Sequence, residues 1–249
     1  MLIIKNLKKT YKGGKIAVDN LNIHVKPGDI YGFIGHNGAG KTTTIKCIVG
    51  IHDFEEGEIL VDSISIKKEP INCKSKIAYI PDNPDLYEYL TGIQYLNFIA
   101  DIYGISKEER EKRIKEEAEL FEITSALGDL ISSYSHGMKQ KLAIIGAIIH
   151  KPKLLILDEP FVGLDPKAAL VLKNKMRSLC SEGAAIFFST HVLDVAEKLC
   201  NKVAIIKDGK LVVSGVTKEL IKGESLEDVF MEVADNVKTD KTTFENTDL

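Results

Sequence analysis

An α/β fold with a mostly parallel central sheet and an inserted helical subdomain follows from three observations. Continuous apolar runs of strand length stand at Ile30–Ile34 and Leu154–Leu157, the pattern of strands buried on both faces. From Leu154 onward, strand and helix patterns alternate, as in a sheet built by crossover connections. Between Pro84 and about His150 the chain reads instead as helix.

Taken in order, the first 65 residues read as short strands at Leu2–Asn6, Ile16–Val25, Ile30–Ile34 and Glu58–Ile66, with Pro27-Gly28-Asp29 as the turn before the third. In the helical stretch, Ser106-x-x-Glu109 is a capping-box pattern, and Ile114, Ala118 and Phe121 recur at helical spacing. The charges from Lys107 to Glu119 are therefore expected to form a solvated face. Beyond it come strand Leu154–Leu157, helix Pro166–Cys180, strand Ala185–Ser189, helix Val192–Leu199 and strand Val203–Lys207, with a hairpin through Asp208-Gly209-Lys210. Ser225–Phe230 reads as a last helix that packs Leu226, Val229 and Phe230 on the core, and Asp235–Leu249 as a polar, frayed tail, so residues 1–234 are expected to form one domain with its helical subdomain at about 84–150.

The 249 residues are 44% hydrophobic and 28% charged, which excludes disordered and fibrous classes. The net charge of −3 supplies no overall basic field, so nucleic acid is not an expected partner. The longest apolar run, Leu142–Ile149, is far short of the roughly 20 residues that span a bilayer. The start of the chain carries no continuous signal-peptide core, so a cytoplasmic location is expected. Cys47, Cys73, Cys180 and Cys200 form no C-x-x-C pair and read as reduced core residues.

Gly35-His36-Asn37-Gly38-Ala39-Gly40-Lys41-Thr42 fits G-x-x-x-x-G-K-[ST] between a buried strand and an apolar helical pattern that begins near Thr42 and Thr43. Glycines let the backbone approach phosphates, the helix N-terminus presents unpaired N–H groups, Lys41 adds a point charge, and Thr42 offers a hydroxyl to Mg²⁺. A nucleoside triphosphate site follows. The Leu154–Leu157 strand ends in Asp158-Glu159, and strand tips of a parallel sheet lie beside such a loop. Asp158 is thus expected to hold Mg²⁺ through water, and Glu159 to act as general base. Asn201-Lys202-Val203-Ala204 lacks the carboxylate that reads guanine in N-K-x-D, so ATP is the expected nucleotide, with Tyr11 placed to stack on adenine.

Tyr134-Ser135-His136-Gly137-Met138-Lys139-Gln140-Lys141 opens a helix whose Met138, Leu142, Ile145 and Ile149 share one apolar face. Lying between the phosphate loop and Asp158-Glu159, it resembles the signature of ABC transporter ATPase subunits. Gly163-Leu164-Asp165-Pro166 is similar to that family's D-loop, and His191 to its switch histidine. The resemblance covers about residues 2–230. It implies a P-loop NTPase core, an antiparallel β subdomain and a helical subdomain, working as a head-to-tail homodimer or heterodimer with ATP sandwiched between subunits. Ser135 and Gly137 of one subunit would meet the γ-phosphate bound by the other, Asp165 would link the two sites, and His191 would contact the γ-phosphate and position the water. The expected partner is an integral-membrane permease, which holds the ATPase at the cytoplasmic face of the membrane. A soluble ABC-type ATPase acting on ribosomes or DNA is the alternative.

The chain also departs from the pattern. The signature usually reads Leu-Ser-Gly-Gly-Gln, whereas Tyr134, His136 and Met138 stand here in place of Leu, the first Gly and Gln. With Ser225-Leu226-Glu227-Asp228-Val229-Phe230, this variant looks like the exporter-type subunits that pair with separate permeases. Asp82 occupies the place of the Gln-loop glutamine that contacts Mg²⁺, so it enters the expected metal set with Thr42 and Asp158. Asn83, Pro84, Asp85 and Leu86 would line the cleft for the permease.

Overall fold

The computed structural model describes residues 1–232, so the tail expected at Asp235–Leu249 lies outside the described residues. The strands are β1 (Leu2–Thr10), β2 (Ile16–Val25), β3 (Ile30–Ile34), β4 (Glu56–Val61), β5 (Ile64–Ser65), β6 (Ile77–Ile80), β7 (Leu154–Asp158), β8 (Ala185–Thr190), β9 (Lys202–Lys207) and β10 (Lys210–Val216). The helices are α1 (Lys41–Ile48), α2 (Pro70–Lys74), α3 (Gly92–Ile102), α4 (Lys107–Leu120), α5 (His136–Ile148), α6 (Pro166–Ser181), α7 (Leu193–Leu199) and α8 (Thr217–Ile221), and residues 226–232 form a last helix.

The strands divide into two sheets. An antiparallel sheet has the order β2-β1-β4-β5, and the central sheet has the order β10-β9-β3-β8-β7-β6. The central sheet is parallel except for the β9–β10 hairpin. Its inner strands β3, β7 and β8 have no solvent face, which explains their largely apolar runs, whereas the edge strand β10 alternates exposed and half-buried residues. Alternate residues go to opposite faces. Leu155 and Leu157 join the cluster that includes the helical segment, while Leu154 and Ile156 join the cluster shared with the antiparallel sheet. At about 1.5–3 kcal/mol per buried Leu, Ile or Phe, this two-sided burial makes the central sheet the stable platform of the molecule.

Some elements differ from the sequence reading. The strand expected over Glu58–Ile66 is a tight hairpin, because Asp62 and Ser63 take φ of 51° and 67° and turn the chain between β4 and β5. The sequence reading gives no strand at Ile77–Ile80, yet β6 stands there, just before Asp82. It is a short strand at the sheet edge, and its apolar residues are buried in the two cores, Ile77 in one and Ala78 and Ile80 in the other. In the helical stretch, Ser106 does cap α4 by accepting from the Glu109 N–H at 3.3 Å, but the Glu109 carboxylate turns to Arg113 instead of back to the cap. The reciprocal capping box belongs to α3, where Thr91 and Gln94 exchange hydrogen bonds. Ile114, Ala118 and Phe121 are buried as their spacing predicts, and all four cysteines are free and buried.

Candidate functional site

Parallel register brings distant segments together at one end of the central sheet. Ile34 pairs with Thr190 and Asp158 with Ser189, so the carboxyl ends of β3, β7 and β8 stand level. The Gly35–Thr42 loop, Asp158-Glu159 and His191 leave the sheet from these ends. The loop and the two carboxylates border a cavity of about 460 Å³ lined in part by Tyr11, Lys41, Thr42, Thr43, Asp82 and Asp158, and His191 reaches it only through Glu159, 3.0 Å away. A cleft beyond the carboxyl ends of parallel strands is the usual ligand position in α/β sheets.

Gly40 makes the loop's last turn with φ of 109°. A Cβ there would lie 2.5 Å from the Ala17 carbonyl oxygen, so both conformation and space require glycine. Lys41 is 6% exposed, and its ammonium donates to the carbonyls of Gly35 at 2.6 Å and His36 at 3.4 Å. It also stands 3.6 Å from Glu159 Oε1. A buried cation held only by loop carbonyls and one carboxylate is well placed to turn to a phosphate.

Asp158 is 2% exposed and accepts a short hydrogen bond from the Ser189 hydroxyl, which fixes the carboxylate at the strand tip. Thr42, Asp82 and Asp158 line the same cavity, an all-oxygen donor set suited to Mg²⁺. Among the described residues no group of three or more His, Cys, Asp or Glu side chains is placed to hold a metal ion by itself, so an ion here would need phosphate oxygens and water as well. Glu159 takes φ of 49°, a left-handed conformation that is uncommon outside glycine. Its N–H donates to the Ser189 hydroxyl at 3.2 Å. Its Oε1 is buried without a hydrogen-bond partner, although His191 Nδ1 is only 3.0 Å away. An oriented carboxylate oxygen with spare acceptor capacity can take a proton from water.

Tyr11 is 38% exposed, shares a hydrogen bond with the Thr43 hydroxyl at 3.1 Å, and meets the His52 ring edge-on at 5.9 Å. Gly35 and Ala39 lie buried beneath the cavity, while His36, Asn37 and Gly38 form its exposed rim. Ser135, Gly137 and Asp165 are not brought to it. Ser135 caps α5 by accepting from the Met138 N–H at 3.3 Å, and Gly137 packs near the Gly163 carbonyl. Asp165 caps α6 at the Ala168 N–H and pairs with Lys141 at 2.8 Å, a contact that holds its carboxyl below the usual range.

The sequence reading missed several cavity residues. Lys15, Ile16, Ala17, Asp208 and Gly209 all line it. The Gly209 N–H donates to the Ala39 carbonyl at 2.9 Å, so the tip of the β9–β10 hairpin braces the loop. Asp208-Gly209 was legible as a turn, but nothing local placed it here. Ser189 was read only as the end of a strand. Asn201, considered for a guanine motif, instead accepts from the Ile30 N–H at 2.8 Å and donates to Asp29 at the other end of β3.

Pro84, Asp85 and Leu86 line a separate cavity of about 240 Å³ with Tyr79, Tyr95, Tyr103 and His150. The His150 ring stacks on Tyr103 at 3.6 Å, and burial pushes its pKa down to about 4. Among the described residues no helix is long and apolar enough to cross a membrane.

Comparison with known proteins gives the family. The ABC transporter family model matches residues 18–162, more than half of the chain. The ABC-type transporter ATP-binding protein EcsA of Bacillus subtilis (strain 168) is 36% identical over 94% of this chain and 96% of its own length. The Nod factor export ATP-binding protein I of Cupriavidus metallidurans is 32% identical over 90% of this chain and 74% of its own. Among solved structures, an ATP-binding subunit of an ABC transporter superposes with a TM-score of 0.90 at 34% identity, covering 94% of this chain and 99% of that one. A dimeric ATP-binding cassette in a post-hydrolysis state with ADP and Pi superposes at 0.80 with 26% identity, covering 87% and 99%. With its phosphate-binding loop and its strand-tip carboxylates at one cleft, the chain belongs to the ABC transporter family as an ATP-binding subunit with ATPase activity.

Proposed function

We propose that this subunit hydrolyses ATP with Mg²⁺ in a head-to-tail pair and so drives export through a separate membrane permease. The observation that carries the chemistry is the meeting, at one cavity, of the buried Lys41 ammonium, the buried Asp158 carboxylate and a Glu159 oxygen without a hydrogen-bond partner. The loop N–H groups and Lys41 bind the phosphates, and Tyr11 stacks on adenine. Thr42, Asp158 and Asp82 hold Mg²⁺, which neutralises phosphate charge. Glu159 accepts the proton of the attacking water, and His191, 3.0 Å from it, orients that water at the γ-phosphate.

Ser135 and Gly137 stand outside the cavity of their own chain, and Ser135 is exposed at the α5 N-terminus. That end of a helix supplies N–H groups to a phosphate held by a partner subunit, which supports pairing. Asp165, at the start of α6, is the link between the two sites. The likeness to a dimeric ATP-binding cassette supports pairing. Export is supported by the kinship with a protein described as a Nod factor export subunit and with a linearmycin resistance ATP-binding protein, LnrL, of Bacillus subtilis. The permease places the subunit at the cytoplasmic face of the membrane.

The test is Glu159→Gln. This variant is expected to lose ATP turnover while retaining ATP binding, and to elute as a dimer with ATP in sizing chromatography, because closure survives when the chemical step is removed. A variant that turns over ATP normally, or that stays monomeric with ATP, overturns the reading. Co-purification from solubilised native membranes is expected to recover a polytopic permease. Recovery of soluble partners alone would replace transport with the ribosome- or DNA-directed alternative.

A further inference from the structure

The last helix reaches the phosphate loop. Phe230, 9% exposed, meets the His36 ring edge-on at 4.8 Å with the planes inclined by 67°. His36 is the second residue of the loop and lines the nucleotide cavity. Phe230 does not owe its place to that contact. Ser225 and Asp228 cap the helix reciprocally, with Ser225 N–H to Asp228 at 3.0 Å and Asp228 N–H to the Ser225 hydroxyl at 3.1 Å. The Leu226 N–H donates to Glu197 at 2.8 Å, and the Leu226 side chain is fully buried. Phe230 is therefore fixed by its own helix, and His36 is the exposed member of the pair.

The loop needs such a fixture. His36, Asn37 and Gly38 are exposed, and the loop's stretch from Gly35 to His36 is held by the Lys41 ammonium on the carbonyls of both residues. An ammonium has three donors and two of them lie on these carbonyls, so a phosphate that takes more than the third draws on the bonds that hold the loop. The His36 ring against Phe230 is a side-chain anchor of the loop's first half that does not depend on the Lys41 ammonium. Resting on the ATP site described above, we propose that Phe230 is a positioning residue for nucleotide binding, acting through His36 to hold the phosphate loop open for ATP.

The experiment is calorimetric titration of ATP with Mg²⁺ into the full chain and its variants, with thermal melting of each without nucleotide. Phe230→Ala and His36→Ala are each expected to weaken ATP binding roughly two- to twelvefold, the equivalent of one aromatic pair. The double variant should be no weaker than either single one, because one contact is lost in all three. Phe230→Tyr should restore binding. Phe230→Leu keeps apolar burial without the aromatic edge and is expected to melt near the parent temperature while still binding ATP weakly. If Phe230→Leu binds ATP as the parent does, or if the two single losses multiply in the double variant, the proposal is wrong. Lys41→Ala separates the two levels of argument. It should abolish ATP binding, and retained binding there would overturn the assigned site itself, whereas a silent Phe230→Leu beside an inactive Lys41→Ala would overturn only the role of the last helix.

Discussion

Neutral His150 keeps charge out of the cavity beside Tyr79, Tyr95 and Tyr103, and its stability cost on protonation can be worked out. Both ring nitrogens are buried, and burial lowers the pKa from 6.5 to about 4. The unfolded chain then binds this proton more readily than the folded one. Stability is full above about pH 6.5, falls as the pH drops toward 4, and changes no further from this source below that. At about pH 5 the unfolded imidazole is almost wholly protonated and the folded one is charged in roughly a tenth of molecules. Linkage then gives a loss of about 2 kcal/mol between pH 8 and pH 5, and roughly 3 kcal/mol in full. His150→Phe retains a ring to stack on Tyr103 and removes the proton. Urea unfolding of parent and variant at both pH values isolates this group, since the other titrations are common to both. The parent should lose about 2 kcal/mol more than the variant on going to pH 5, a relative midpoint shift of roughly 0.7 M for a slope near 3 kcal/mol/M. Equal losses would refute the burial argument.

Other outcomes follow from close contacts. Gly40→Ala meets a left-handed backbone and the Ala17 carbonyl, and should cost about 2–4 kcal/mol by thermal melting together with most ATP affinity. An unchanged melt would mean that the loop is not braced as described. A Cβ at Gly92 would lie 2.3 Å from the Tyr134 hydroxyl, which donates to the Ala126 carbonyl at 2.5 Å. Gly92→Ala should therefore cost about 1–3 kcal/mol and Tyr134→Phe about 1 kcal/mol, and the double variant should be clearly more stable than their sum, because removing the hydroxyl makes room for the methyl. Strict additivity in denaturant unfolding would refute the steric account.

What the sequence by itself determined is what depends on short stretches of chain. The loop between Gly35 and Thr42 is legible because glycine, lysine and threonine at that spacing meet a phosphate's local demands, and β3 and β7 because strands buried on both faces must be apolar throughout. The order of motifs from Gly35 to His191 then pointed to the family without any knowledge of contacts. The tertiary structure decided what meets what. Ser189 clamps Asp158, and Gly209 braces Ala39, because strand register places them there across long separations in the chain. β6 escaped notice because four residues at a sheet edge carry too little periodicity to be told from a loop. The Phe230–His36 contact has no local signal at all: each residue satisfies its own segment, and only the packing of the last helix against the core brings the two rings together.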